Sequence, residues 1–201
     1  MNEQIPQTKV RTTQFADGLP RRCWTVAEIA KLWNLGIFGG VDRPHERFEL
    51  FQGEIVPMSP KGLRHELIKI RLSDFWYRNR STPYTIAAET PLTLRDDTQP
   101  QPDLVVLPAN FLSQGITPGT VLLVVEIADT SLAKDTRYKA GIYASAGVRD
   151  YWVINAATLV TTVFRDPTEK GYQSRAEFTP DQTLTPLDAP ELALALNDLG
   201  L

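Results

Sequence analysis

The sequence predicts an α/β fold in which a mixed central β-sheet is flanked by helices. A valine-rich run at 121–127, a helical stretch at 135–146 and an apolar run at 149–155 follow one another, as in a crossover between parallel strands. The run at 121–127 is short and almost wholly apolar, which is typical of a strand covered on both faces. The run at 159–165 is predicted to pair back on 149–155 as a hairpin, so the sheet is expected to be mixed.

Length and composition describe an ordinary globular chain. The 201 residues suffice for a substantial core, and 42% hydrophobic and 22% charged residues are common values. We predict a flexible N-terminal arm at 1–20, which is polar, and a single domain at 21–201. The polar start predicts no signal peptide, and no run approaches the roughly 20 apolar residues of a membrane span.

Charge and cysteine content restrict the possible classes of function. The net charge of −3 and the pI of about 5.5 give no general support for strong nonspecific nucleic-acid binding, although the charge that matters is local. The single cysteine, Cys23, excludes an intrachain disulfide and fits a reducing compartment, so we predict a cytoplasmic protein. One cysteine and two histidines do not favour a structural zinc site.

The elements before the central strands are predicted as a helix, a hairpin and a second helix. A capping-box pattern at 25–28 begins the first helix, and glycines at 36–40 end it. Two short apolar runs around Gln52-Gly53 predict the hairpin at 47–56. Apolar residues at i, i+4, i+7 and i+8 predict an amphipathic helix at 63–78. The other predicted elements are strands at 84–94, 104–107, 159–165 and 171–178, a short helix near 110–113 and a short amphipathic helix or tail at 191–199.

Two carboxylates lie where predicted buried strands begin or end. Asp103 directly precedes the strand at 104–107, and Glu126 follows five consecutive apolar residues. A buried carboxylate is costly unless a cation or hydrogen bonds compensate it. We hypothesise that Asp103 and Glu126 jointly bind Mg²⁺ or Mn²⁺, with the backbone carbonyl of Ile127 as a further ligand. The alternative is that backbone amides or an arginine satisfy both carboxylates.

Three further residues are candidates for this site. Asp135 and Lys139 are four apart on a predicted helix, so Lys139 could supply positive charge to a developing oxyanion. Glu49 either reaches the site or is a solvated strand residue, and its spacing alone favours the solvated interpretation. His65 begins the second helix, where a lone histidine is more often structural than catalytic.

A basic segment at 61–80 contrasts with the acidic chain. It carries six basic and two acidic residues. The usual interpretation is a solvated helix face, and the alternative is a local surface that contacts phosphates.

Four segments, in this order, resemble the PD-(D/E)xK restriction-endonuclease-like superfamily and, within it, the Uma-two-type family of restriction endonucleases. They are RFELFQGEI at 47–55, QPDL at 101–104, VVEIADTS at 124–131 and DTRYKAGIYASAGVRDYWVI at 135–154. Each motif is weak alone, whereas their order and spacing together are fairly specific.

This resemblance implies a restriction-endonuclease-like core at about 47–165, Mg²⁺-dependent DNA cleavage and a homodimer. It assigns Glu49, Asp103 and Glu126 as acidic site residues, which favours Glu49 as a site member, and it matches His65 to a histidine of this branch. The superfamily places a lysine two residues after the glutamate, where this chain has Ala128. The resemblance makes Lys139, from the following helix, the candidate replacement.

The sequence thus predicts a metal-dependent endonuclease that hydrolyses DNA phosphodiester bonds. The alternative is a catalytically inactive descendant of the fold that binds nucleic acid or protein, which the acidic pI and Ala128 favour. A third class, an unrelated α/β enzyme acting on a small substrate, lacks support because the chain has neither a phosphate-binding glycine loop nor a Gly-x-Ser-x-Gly elbow.

Overall fold

The structure, a computed structural model, describes residues 12–16, 19–39, 47–58, 60–79 and 84–201. The chain divides into two compact units. The first unit comprises Met1–Met58 and Arg95–Pro100, and the second comprises Ser59–Leu94 and Gln101–Leu201. The single domain over 21–201 stays a prediction. The predicted arm at 1–20 lies partly outside the described residues.

The first unit holds two hairpins and one helix. β1 (Thr12–Ala16), inside the predicted arm, pairs antiparallel with β2 (Leu19–Arg22). α1 (Val26–Asn34) begins at the predicted capping box, in which the Thr25 hydroxyl accepts from the Glu28 amide and the Glu28 carboxylate accepts from the Thr25 amide. Both amides would otherwise lack a partner at the start of the helix.

The predicted hairpin around Gln52-Gly53 is formed by β3 (Phe48–Phe51) and β4 (Glu54–Pro57). Gln52 and Gly53 have φ angles of +50° and +81°, as in a type I′ turn. A Cβ atom on Gly53 would lie 2.1 Å from Cys23 Sγ and 2.8 Å from Cys23 Cα. Glycine is therefore required at residue 53 both by its backbone angle and by the close approach of Cys23.

The second unit is built on a six-stranded mixed sheet, which confirms the predicted fold class. Its strands are β5 (Tyr84–Ala88), β6 (Leu104–Pro108), β7 (Leu123–Ala128), β8 (Asp150–Asn155), β9 (Thr161–Thr168) and β10 (Gly171–Phe178). They lie side by side in chain order. Among these described strands, β7 and β8 are parallel, and every other neighbouring pair is antiparallel.

Helices cover both faces of this sheet. α2 (Leu63–Asn79) packs Ile68, Leu72 and Trp76 onto one face, which presents the side chains of Leu104, Val106, Leu123, Val125 and Trp152. After a short α3 (Phe111–Gln114), a π-helical stretch at Lys134–Lys139 continues into α4 (Ala140–Ser145). This segment packs onto the opposite face, which presents Val105, Leu107, Val124, Tyr151 and Val153.

Two predicted elements differ from the structure. The strand predicted at 84–94 ends at Ala88, because Glu89 has a φ of +49° that extended backbone does not adopt. The helix predicted at 191–199 is wrong. Leu192, Leu194 and Leu196 are buried with a period of two, and Leu194 exchanges two backbone hydrogen bonds with Leu184, so only short 3₁₀ turns form there.

Within the described ranges, none of the helices is long and apolar enough to cross a membrane.

The contrast between Gly53 and Gly141 gives a test of the hairpin. Gly53→Ala is expected to lower the free energy of unfolding by about 2–5 kcal/mol, because it combines a positive φ with a steric clash. Gly141→Ala is the control, since a Cβ there meets no atom within 4 Å and the residue lies in α4. Urea denaturation should show the control unchanged or about 0.5–1 kcal/mol more stable. Equal midpoints for the two variants would contradict the packing described for Cys23.

Candidate active site

Asp103 and Glu126 meet at one end of the central strands. Leu104 of β6 lies opposite Val125 of β7, and one further step of this register places Asp103 opposite Glu126. The amide of Ile127 donates to Asp103 Oδ2 at 2.7 Å. Both carboxylates are only 4% exposed. The structure therefore brings the two predicted residues together, and it buries them, so their charges must be compensated.

Three donors compensate the carboxylate of Asp103. Besides the Ile127 amide, Lys61 Nζ lies 2.6 Å from Oδ1, and His65 Nε2 is joined to Oδ2 by a hydrogen bond of 2.9 Å. Burial raises the pKa of Asp103, but the hydrogen bond from His65 and the positive charge of Lys61 outweigh this effect and hold the pKa at about 2. Asp103 is therefore ionised at neutral pH.

The carboxylate of Glu126 accepts two hydrogen bonds at the same oxygen. Lys139 Nζ lies 2.9 Å from Oε1, and the Tyr143 hydroxyl lies 3.0 Å from it. Both donors are buried, and they come from the helical segment that covers this face of the sheet. The structure thus places Lys139 beside the glutamate, while the motif position, Ala128, is buried and has no charge. The catalytic role of Lys139 stays a prediction.

The π-helical stretch at Lys134–Lys139 sets the position of this lysine. Asp135, four residues earlier, lies 3.9 Å from Lys139 Nζ, and Ser131 donates to the Asp135 carboxylate. The hydroxyl of Tyr151 donates to the Asp135 carbonyl at 3.0 Å. Burial raises the pKa of Asp135. Isolated π-helical turns are frequent at functional sites, where they redirect side chains.

A chain of alternating charges extends from Asp103. Lys61 Nζ also lies 2.8 Å from Glu89 Oε1, Lys69 donates to the same oxygen, and Lys69 Nζ lies 2.8 Å from Glu66 Oε2. Burial raises the pKa of Glu89, but hydrogen bonds from Lys61 and Lys69 hold it at about 2. The left-handed backbone of Glu89 is uncommon for a residue other than glycine, and such strain occurs preferentially at functional sites.

Four members of this arrangement were not predicted as site residues: Lys61, Lys69, Glu89 and Tyr143. Sequence spacing could have indicated two of them. Lys69 lies four residues after His65 and Tyr143 lies four residues after Lys139, so each pair is expected on one helical face, whereas Lys61 precedes α2. Glu89 had no such pattern, because its position depends on the early end of β5.

The basic segment at 61–80 is used largely inside the second unit. Lys61 and Lys69 bind carboxylates, and Arg64 donates to the carbonyls of Ala156 and Ala157. The interpretation of this segment as a simple solvated face is therefore wrong for Lys61 and Lys69, whose side chains are 11% exposed, whereas Arg64 is exposed. Arg71 and Arg78 remain exposed on α2.

Glu49 lies on β3 of the first unit and is 2% exposed, so the interpretation as a solvated strand residue is wrong. Its membership of the site stays a prediction. His65 contacts Asp103 directly, which places it at the site. Its Nδ1 atom lies 3.3 Å from Glu66 Oε1 but lacks the alignment of a hydrogen bond.

The residues present fit a divalent cation in their chemistry. Asp103 and Glu126 offer hard carboxylate oxygens from paired strands, the carbonyl of Ile127 is adjacent, and Mg²⁺ commonly retains several waters beside one or two carboxylates. Across the described ranges, no group of three or more His, Cys, Asp or Glu side chains is arranged to hold a metal. Water or substrate would therefore complete a coordination shell. Each carboxylate now binds a lysine ammonium group, with which a metal would compete.

This mixed sheet, with two carboxylates paired at its end, defines a nuclease-like fold. Residues 35–197 match the profile of the Uma2 family, described as "Putative restriction endonuclease", and the chain belongs to this family. The chain is also similar to a crystal structure described as "a putative nuclease belonging to DUF820" from Anabaena variabilis ATCC 29413. That comparison has 19% identity and a TM-score of 0.63 and covers 87% of this chain and 96% of the other, which shows the fold alone. No curated protein matches the chain.

The ion pair between Glu126 and Lys139 gives a test of the buried network. Lys139→Met is expected to destabilise the protein by roughly 3–5 kcal/mol, because Glu126 and Asp135 lose a buried cation. Adding Glu126→Gln should recover part of this loss, with a coupling of about 1–3 kcal/mol in a double-mutant cycle from urea denaturation. Additive effects of the two substitutions would show that the pair contributes no net coupling.

The low pKa of Glu89 predicts a pH dependence of stability. A carboxyl group whose pKa falls from 4.5 to about 2 on folding stabilises the fold above pH 4.5, and this contribution is lost as the pH falls from about 4.5 to 2. Glu89→Gln should therefore be less stable than the wild type at pH 7, and the difference should shrink towards pH 2. Denaturant titrations between pH 2 and 7 measure this difference, and a constant gap would contradict the prediction.

Proposed function

We propose that this protein is an endonuclease that hydrolyses DNA phosphodiester bonds with Mg²⁺ or Mn²⁺ bound at Asp103 and Glu126. The observation that carries the proposal is the pairing of two buried carboxylates on adjacent strands, each in contact with a lysine. Membership of a family described as restriction endonucleases supports DNA as the substrate. The homodimer and the cytoplasmic location are part of the same proposal.

Each group at the site has a proposed task. Phosphodiester hydrolysis requires an activated water and neutralisation of the charge that builds on the phosphate, and a divalent cation held by Asp103 and Glu126 would supply both. The carbonyl of Ile127 is a further proposed ligand. Lys139, held beside Glu126, would place a positive charge next to the developing oxyanion. His65 and Lys61 keep the Asp103 carboxylate ionised and fixed in orientation.

Glu49 is proposed as a third acidic residue of the site, where it would position a water or a second cation. Its burial is consistent with a task other than solvation. In the same measurements described below, Glu49→Gln tests this role separately from Asp103 and Glu126.

Nicking of supercoiled plasmid is the direct test of the proposed function. The wild type is expected to convert supercoiled to relaxed DNA with Mg²⁺ or Mn²⁺ and not with chelator. Asp103→Asn and Glu126→Gln should lower the rate by at least about 10²–10³-fold, because each removes an anionic ligand of the divalent cation that would stabilise the transition state. Glu169→Gln, an exposed carboxylate in the turn between β9 and β10, is the control and should cut like the wild type. Unchanged nicking by Glu126→Gln would rule out this site as its source.

The second candidate function is an inactive descendant of the fold that binds nucleic acid or protein. Ala128 at the motif-lysine position favours it. The two functions differ in metal binding, so titration calorimetry with Mn²⁺ distinguishes them. A nuclease should give a binding isotherm that is lost in Asp103→Asn, whereas a binding module should give none in either protein.

A further inference from the structure

A pocket of about 320 Å³ lies in the second unit, and neither Asp103 nor Glu126 lines it. Its position follows from the register of the sheet. Thr162, which lines the pocket, pairs with Val153 of β8, and Val153 pairs with Glu126 of β7. Residues paired in this way point to the same face of a sheet. Two strand spacings correspond to roughly 10 Å, so the pocket lies beside Glu126 on the same face.

The pocket contains hydrogen-bond donors that the fold does not use. Thr162 is 6% exposed, and its hydroxyl makes no hydrogen bond with any other residue that the structure describes. Asn155 also lines the pocket, and its Oδ1 accepts from the amides of Ala157 and Thr158 at 2.9 Å and 3.2 Å. This anchoring fixes the orientation of the side-chain amide, whose nitrogen lacks a partner within the described ranges. The Thr162 hydroxyl and the Asn155 amide nitrogen are therefore available to donate to a molecule that occupies the pocket.

The remaining lining residues indicate a neutral ligand with apolar faces. At the rim, Arg175 and Glu177 form an ion pair of 2.9 Å, and both side chains are more than half exposed. Their charges cancel, and the Glu177 carboxylate would repel a phosphate group. Leu132 and Val160 supply apolar walls. A volume of about 320 Å³ is at the lower end of ligand pockets, which suits a flat heterocycle.

We propose that this pocket binds a nucleobase of the DNA strand whose phosphate lies at Asp103 and Glu126. Thr162 and Asn155 donate to acceptor atoms on the edge of the base, and the apolar walls contact its faces. A base offers these edges freely only when it is unpaired, so the pocket favours single-stranded or locally opened DNA. The proposal rests on DNA as the substrate of the proposed function, and it adds a preference for substrate structure.

Binding to single strands without metal is the test. In chelator, a labelled ten-nucleotide single strand should bind the wild type about tenfold more tightly than a strand of equal charge made of abasic residues. Thr162→Val should remove most of this difference and leave binding of the abasic strand unchanged. Thr161→Val is a matched control, because Thr161 is the adjacent buried threonine, its hydroxyl has no partner among the described residues, and it does not line the pocket. Fluorescence anisotropy measures all six combinations of the three proteins with the two strands.

A second measurement needs no variant. Addition of a free deoxynucleoside to the wild-type protein should shift the side-chain amide resonances of Asn155 in a ¹H–¹⁵N spectrum, whereas inorganic phosphate should not. Equal binding of the normal and abasic strands, or equal losses in Thr162→Val and Thr161→Val, would overturn the pocket assignment. Plasmid nicking reports on the proposed function independently. Metal-dependent nicking together with equal binding of the normal and abasic strands would reject the base-binding pocket alone. Tighter binding of the normal strand without nicking would reject the nuclease activity alone.

Discussion

The burial of Asp103 and Glu126 beside two lysines is the interaction on which the second unit depends. The carboxylates lie at the end of β6 and β7, where removal from water would be prohibitive without cations. Lys61 lies just before α2, which covers one face of the sheet. Lys139 lies in the π-helical stretch that leads into α4 on the other face. Both layers of the fold are thus tied by charge to one end of the sheet, in addition to their apolar packing.

Much of this arrangement could be predicted because it is encoded locally. The apolar run ending in Glu126 predicted a buried carboxylate. The βαβ pattern around it predicted that β7 and β8 are parallel neighbours, as the structure shows. A spacing of four residues placed Lys139 on the same helical face as Asp135. The hairpin turn at Gln52-Gly53 needed only the preference of glycine for positive φ. In each case the deciding interaction lies within a few residues of the chain.

Contacts between distant segments could not be predicted in the same way. Lys61 and Asp103 are 42 residues apart, and their contact requires the folded sheet. Glu89 joins the network because β5 stops early, which no local pattern at 84–94 indicated. The C-terminal leucines appeared helical by composition, yet pairing between Leu184 and Leu194 made them extended. Tertiary hydrogen bonds thus overrode local preference where the two disagreed.

Lysine compensation at Asp103 and Glu126 has a consequence for assembly of the protein in the cell. In small zinc domains the metal supplies the folding energy, so that chelation unfolds them. Here ammonium groups of the same chain already compensate both carboxylates, so their burial does not require a divalent ion. Under the proposed function, removal of divalent ions would therefore stop DNA cleavage without unfolding the protein, and the unfolded fraction that proteases can attack would stay unchanged.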